Sequence, residues 1–440
     1  MKIFSGLKIR LSAGILLVLA VLALTLSFNA PVSAASGITL SGSSVQSAFP
    51  NSLTFAIQAK SDVNITQLRI HYIVKRQNYA DVTSEGWPQF SPAASVSAQW
   101  VWDMRNSSLP PGAQVQYWWT AVDAAGKTAE TASATVSFDD TRYKWQSITT
   151  PPVTIEWYNG SSSFAGALMS AAQDGLKRIE NDTGAIPAGN VVIYIYASAA
   201  ELQGAQLFAQ QWEGGATYAE YNVIAIAVST SDLGYGQRAV PHELTHWIVH
   251  QITFNNYGAG LPTWLDEGLA TYGESTTLNP DYQSALNYAI QNNQLISVRS
   301  LSSPFSSVAQ QAYISYGESN SVVTFMIKTY GKDKIQQLLQ VFHDGSNYDA
   351  ALEQVYGFDQ DGLYKLWLQS IHVTLPATTP ATSPATSPSA SSPSPSKRPP
   401  ATVQVGNGAS SAGTWVLIGL LAVIIIGVGF ALERRTRKKK

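Results

Sequence analysis

Pro241-His242-Glu243-Leu244-Thr245-His246-Trp247 sets two histidines four residues apart, with a glutamate beside the first. On a helix that spacing puts both imidazoles on one face, one turn apart, so both can reach a single zinc ion. Glu243 lies about 100° round from His242 and can address a water on that metal as general base. Zinc needs a third protein ligand and leaves a fourth position to water. His250 does not supply it, because eight residues of helix rise ~12 Å against a ligand reach of ~2.1 Å. It reads as a helix-face residue. In the other common spacing the third histidine would stand where this chain has Ile252. Cysteine is absent, which excludes thiol nucleophiles, disulfides and Cys-ligated metals. The best serine-nucleophile candidate, Gly317-Glu-Ser319-Asn-Ser321, lacks the closing glycine of that motif.

A second informative stretch follows, Pro262-Thr-Trp-Leu-Asp-Glu267-Gly-Leu-Ala-Thr-Tyr272, in which twenty residues separate Glu267 from His246. With His242-Glu-Leu-Thr-His246 it resembles the gluzincin metallopeptidases, closest to the peptidase-MA-like group related to aminopeptidase N and thermolysin. The resemblance covers roughly residues 143–372. It implies a zincin-like fold, a Zn2+ cofactor, peptide or protein substrates, and Glu267 as third ligand beside His242 and His246. A further match, Ala312-Tyr313-Ile-Ser-Tyr316-Gly, implies that Tyr316 donates a hydrogen bond to the developing oxyanion. Tyr313 is the near alternative, since spacing alone does not separate the two. Asp266 and Glu274 are options for orienting a ligand imidazole, although a solvated or capping carboxylate is the default reading of each. The Gly-x-Met-x-Asn element that holds a substrate's amino end in aminopeptidase N-type enzymes is missing, which favours an endopeptidase at least equally. The alternative reading is a catalytically inactive, peptidase-like surface binding or adhesion protein.

The elements that must position these residues are an α+β set. Residues 153–158 read as a strand, 163–181 as a helix with one apolar side, and 191–197 and 222–228 as strands around a Gly/Gln-rich connection. The second of these is expected to be an edge strand that pairs with an extended peptide. Helices follow to about His372, so residues 141–373 form one α+β domain. Ahead of it, residues 35–140 show about seven short alternating segments, a β-sandwich resembling immunoglobulin or fibronectin modules. Trp100, Trp102, Trp118 and Trp119 are expected to fill its core alternately, and His71 to be structural.

The ends of the chain set an expected topology. Residues 1–34 read as a secretory signal, with Lys2, Lys8 and Arg10 before an apolar run and Val32-Ser33-Ala34 at the cleavage site. Residues 374–412 form a Pro/Ser/Thr/Ala-rich stalk, 413–432 a transmembrane helix and 433–440 a basic tail. Clustered positive charge resists translocation, so the expected protein is single-pass in the cell membrane, with its ectodomain outside and its tail in the cytoplasm. The formal charge of −2 over 440 residues hides this segregation: residues 35–396 carry 16 basic and 28 acidic side chains. A surface so poor in cations is unlike that of a nucleic-acid binder.

Overall fold

The computed structural model describes residues 37–207 and 214–374. The expected signal, the span, the tail and all but the first residue of the stalk lie outside them. Among the described residues no helix is long and apolar enough to cross a membrane.

Seven strands make up the amino-terminal region: β1 (Thr39–Ala48), β2 (Ser52–Val74), β3 (Ser84–Gly86), β4 (Ala93–Asp103), β5 (Ala113–Asp123), β6 (Thr128–Glu130) and β7 (Ala134–Phe138). Hydrogen bonds join all seven: β2 pairs with β1 and β4 along its first half and with β3 and β5 along its second, and β5 pairs in turn with β6 and β7. The alternation of β2 slips where its partner changes. Leu53, Phe55, Ile57 and Ala59 are buried, and then Ile65, Leu68 and Ile70. A register irregularity between Ile65 and Gln67, in the pairing with β5, absorbs the slip. Trp102 and Trp119 are buried as expected; Trp100 lies half-buried against Tyr72, and Trp118 stacks on His71. His71 is structural, its Nε2 2.9 Å from Thr120 Oγ1.

The second region begins with a mixed sheet of β8 (Gln146–Thr150), β9 (Val153–Trp157), β10 (Val191–Tyr196), β11 (Gly215–Tyr218) and β12 (Val223–Ala227), in the order β11-β12-β10-β9-β8. The outer pairs are antiparallel and the inner ones parallel. This overturns one expectation: the 222–228 strand is interior, and the edge is β11, a four-residue strand hidden in the Gly/Gln-rich connection. Its Gly-Ala-Thr-Tyr is too short and too weak in β-branched residues to announce itself.

Val191-Val-Ile-Tyr-Ile-Tyr196 has no polar face, and the structure buries both. Ile193 and Ile195 meet the helices, whereas Tyr194 and Tyr196 pack into the same core as β2 and β5. β12 divides likewise, Ile224 and Ile226 against Val223 and Ala225. The β-rich region therefore roofs the sheet that the helices floor.

Those helices are α1 (Ser162–Thr183), the short α2 (Ala199–Gln203), α3 (Leu233–Thr253), α4 (Thr263–Glu274), α5 (Pro280–Gln291), α6 (Ala309–Tyr330), α7 (Lys332–His343), α8 (Tyr348–Tyr356) and α9 (Gln360–Ser370). Sequence marks their ends. Ser161 caps α1 by accepting from Phe164 N–H, and Gly184 closes it in the left-handed conformation. Asp232 caps α3 in the same way. Every residue from Ala239 to Val249 of α3 is buried, so this central helix presents chemistry to the interior.

Candidate metal and catalytic site

α3 carries His242, Glu243 and His246, and α4 returns beside it after the 254–262 loop. Asn255 shapes that loop: its Nδ2 donates to Ala259 O at 2.8 Å, and its Oδ1 accepts from the Tyr257 and Ala259 N–H groups. Close approach of α4 to α6 needs Gly268, since a Cβ there would lie 2.7 Å from the Ser319 carbonyl oxygen. The glycine after Glu267 is thus a packing requirement, and it presses the α4 face bearing Glu267 into the core.

The result is a buried cluster. His242 Nε2 and His246 Nε2 are 3.2 Å apart, and Glu267 Oε2 is 3.4 Å from the first and 3.6 Å from the second. His242, His246 and Glu267 together offer ligand atoms all within 4.8 Å of one another. That same Glu267 oxygen is buried without a hydrogen-bond partner, a costly arrangement for a carboxylate unless a cation meets it.

Outer carboxylates aim the rings. Glu274 Oε1 is 2.9 Å from His242 Nδ1, and Asp266 Oδ1 is 2.9 Å from His246 Nδ1. Each carboxylate draws the ring proton to Nδ1 and leaves the Nε2 lone pair facing the cluster. The default reading of Asp266 and Glu274 as solvated or capping groups is therefore corrected: the first and last turns of α4 each bring a carboxylate to a histidine of α3. His250 stays out of the three-ligand cluster, as its spacing requires. It lies 3.0 Å from Asp266 Oδ2, and His246, His250 and Asp266 form a second, more exposed grouping.

Three carboxylates around two imidazoles leave the centre short of positive charge. Burial alone would lower the His242 pKa, but the Glu267 and Glu274 carboxylates outweigh it and carry the ring up to about 9. Burial opposes protonation of His246 too, and Asp266 and Glu267 still hold it well above the ordinary range. Burial likewise disfavours a charged Glu267, yet the two histidines keep its carboxyl below the usual value. The donor set of two imidazole nitrogens and one carboxylate is the one zinc takes in hydrolytic sites.

Glu243 sits beside the cluster under the edge strand. Thr217 Oγ1 of β11 donates to Glu243 Oε2 at 2.7 Å, and Gly215 lies so close that a Cβ there would come within 2.7 Å of Glu243 Oε1. Neither residue was marked by sequence motif. Tyr316 is buried, which raises its phenol, and Glu267, Tyr282, Glu243 and Glu274 add to the effect. Tyr313 is half-exposed, and the carboxylate acting on it is Asp281. Tyr282 stacks on Tyr316 at 5.1 Å and fixes its ring.

A cavity of about 700 Å³ opens over Glu243 and His246. Its opposite rim is Gln77, Asn78 and Tyr79, from the loop that follows β2.

No curated protein matches this chain. Among solved structures, the GH3 beta-glucosidase of Bifidobacterium adolescentis is similar at 14% identity, over 25% of this chain and 18% of its own, with a TM-score of 0.16. The purple acid phosphatase PPD1 of yellow lupin is similar at 9% identity, over 44% and 35%, with a TM-score of 0.17. The chain thus spans well under two thirds of either structure's length. An aminopeptidase N family protein from Idiomarina loihiensis is similar at 8% identity, over 76% of this chain and 70% of its own, with a TM-score of 0.24. Residues 171–373, which hold every member of the cluster, match the family model described as the Peptidase MA superfamily, and the helical half of the chain is a peptidase-like domain similar to that superfamily.

Proposed function

We propose that this chain is a zinc-dependent metallopeptidase of the gluzincin type, displayed at the cell surface, that hydrolyses peptide bonds in extended substrates. The observation that carries the reading is the partnerless, buried Glu267 oxygen facing two imidazoles whose outer nitrogens are already committed to carboxylates. His242 and His246 through Nε2, and Glu267 through its carboxylate, would hold the ion, which when bound supplies Lewis acidity toward a peptide carbonyl and a lowered pKa for water.

The chain's own residues do the rest. A peptide laid along β11, on the side away from β12, brings its scissile carbonyl over α3. Glu243, held by Thr217, takes the proton of the attacking water and passes it to the leaving amine. Tyr316 donates its phenolic proton in a hydrogen bond to the oxyanion. The β-rich region, read as an immunoglobulin- or fibronectin-like module, and the single carboxy-terminal span complete an ectodomain facing outward.

The test is cleavage of a peptide mixture by the full chain against its Glu243→Gln variant, with bound zinc measured in both. The variant should keep its zinc and lose hydrolysis by about 10²–10⁴-fold. Full activity in the variant would end the proposal. Stoichiometric zinc with no turnover by the unaltered protein would instead favour the inactive binding-protein reading.

A further inference from the structure

The loop between β2 and β3 belongs by sequence to the amino-terminal region, yet it is bolted to the peptidase-like domain. Gln77 N–H donates to Glu220 O at 2.6 Å, just beyond the edge strand, and Gln77 Nε2 donates to Ala188 O at 3.0 Å. Asn78 takes the left-handed conformation at φ 63°, which asparagine tolerates better than most residues. Its neighbour Tyr79 is clamped from two sides: the Arg76 guanidinium lies 4.5 Å over its ring, and Phe254 packs edge-on at 4.9 Å. Phe254 opens the loop that leads from α3 to α4. A half-exposed tyrosine fixed in this way is a prepared surface.

What it faces is the cavity over Glu243 and His246. Tyr79, Phe254, Leu261, Pro304 and Tyr348 give the cavity apolar walls, and its acidic groups are Glu220, Glu243 and Asp266; among the described residues no lysine or arginine lines it. Asn78, Phe254 and Asn255 also line a second hollow of about 540 Å³ that runs on to Tyr257 and Asp344. The two hollows share a wall and continue away from the metal ligands. A single amino acid cannot fill them, whereas several residues of an extended chain can.

We propose that Gln77-Asn78-Tyr79 is the far wall of the substrate cleft, and that Tyr79 sets specificity for an extended peptide bearing a large apolar side chain on the Glu220 side of the scissile bond. This deepens the peptidase reading and rests on it for the chemistry. It makes the β-rich region part of the substrate site, with the Tyr79 ring as the face that a large apolar side chain meets.

The test uses the full chain and a nested set of peptides, lengthened one residue at a time on either side of one cleavable bond and carrying Phe, Ala or Asp at the added positions. Tyr79→Ala should raise KM about tenfold for Phe peptides extended on one side only, and Tyr79→Phe should restore it. Equal KM for wild type and Tyr79→Ala at every length, or a fall in kcat shared by all peptides, would overturn the wall while leaving the peptidase reading intact. If the wild type cleaves nothing, the same peptides bearing fluorescein report binding by anisotropy. A tenfold loss of affinity in Tyr79→Ala then still supports the wall, and equal or undetectable binding overturns it.

Discussion

Gly215 offers a test in which folding, metal binding and base positioning come apart. Its backbone is in an ordinary strand conformation, paired with Ile226, so alanine costs nothing there in φ. The added methyl would lie 2.7 Å from Glu243 Oε1 and 3.1 Å from its Cδ, where ordinary contact begins at 3.4 Å. The atom in the way is the end of a side chain, so the carboxylate moves by about 0.7 Å and the fold survives. The hydrogen bond from Thr217, now 2.7 Å, stretches toward the limit of a useful contact. A 1 Å misplacement of a reacting group costs about 10²-fold. We expect kcat/KM to fall by about 10–100-fold in Gly215→Ala, or about 1.4–2.7 kcal/mol of barrier. Bound zinc and Tm should stay at wild-type values, because His242, His246 and Glu267 are untouched. The assay is steady-state hydrolysis at matched metal content, with thermal melts alongside. A folded, fully metallated variant within twofold of wild type would refute the placement of Glu243 as the working base.

Other perturbations probe the shell around this centre. Glu274→Gln and Asp266→Asn should each weaken zinc affinity by about 10–100-fold, read by competition with a chromophoric chelator; unchanged affinity in both would mean that the Nδ1 contacts are idle. Tyr316→Phe should lower kcat by about 10²–10³-fold and Tyr313→Phe far less; the reverse order would reassign the oxyanion donor. Glu318, buried in α6 and holding the Ile296 N–H, is carried by desolvation up to about 8 from 4.5. Because the folded value is the higher one, its contribution is complete below pH 4.5 and is lost as pH rises through 8, at about 1.4 kcal/mol per pH unit between the two. Denaturant titrations of Glu318→Gln should therefore show a stability advantage over wild type that grows from pH 5 to pH 8, and a constant difference would contradict this.

The reacting residues were legible because they obey helical geometry, which needs no tertiary context. Two imidazoles four apart share a face wherever the helix lies, and Glu267 came with a motif. Asp266 and Glu274 sit eight residues apart on α4, and only its packing against α3 shows that both reach a histidine. Thr217 and Gly215 escaped notice because β11 is four residues of weak strand formers, and its role as the edge follows from which strand lies outermost. The Gln77 loop is farther from view still, since 143 residues separate it from its partner Glu220. One clue was readable all along: a strand such as Val191–Tyr196 with no polar face demands cover on both sides, and the only candidate for the second cover was the β-rich region.

That shared cover changes what the boundary near residue 140 means. It divides two kinds of secondary structure but does not divide two folding units. A chain trimmed at that point would hand Tyr194, Tyr196, Val223 and Ala225 to solvent, with each aromatic exposing on the order of 150–250 Å². It would also lose the Asp140 carboxylate that accepts the Tyr196 hydroxyl at 3.0 Å. The two regions should then melt in one cooperative transition, and a helical half expressed alone should be sticky and short-lived. Insertions at this junction carry the same penalty, because the core beneath it is shared.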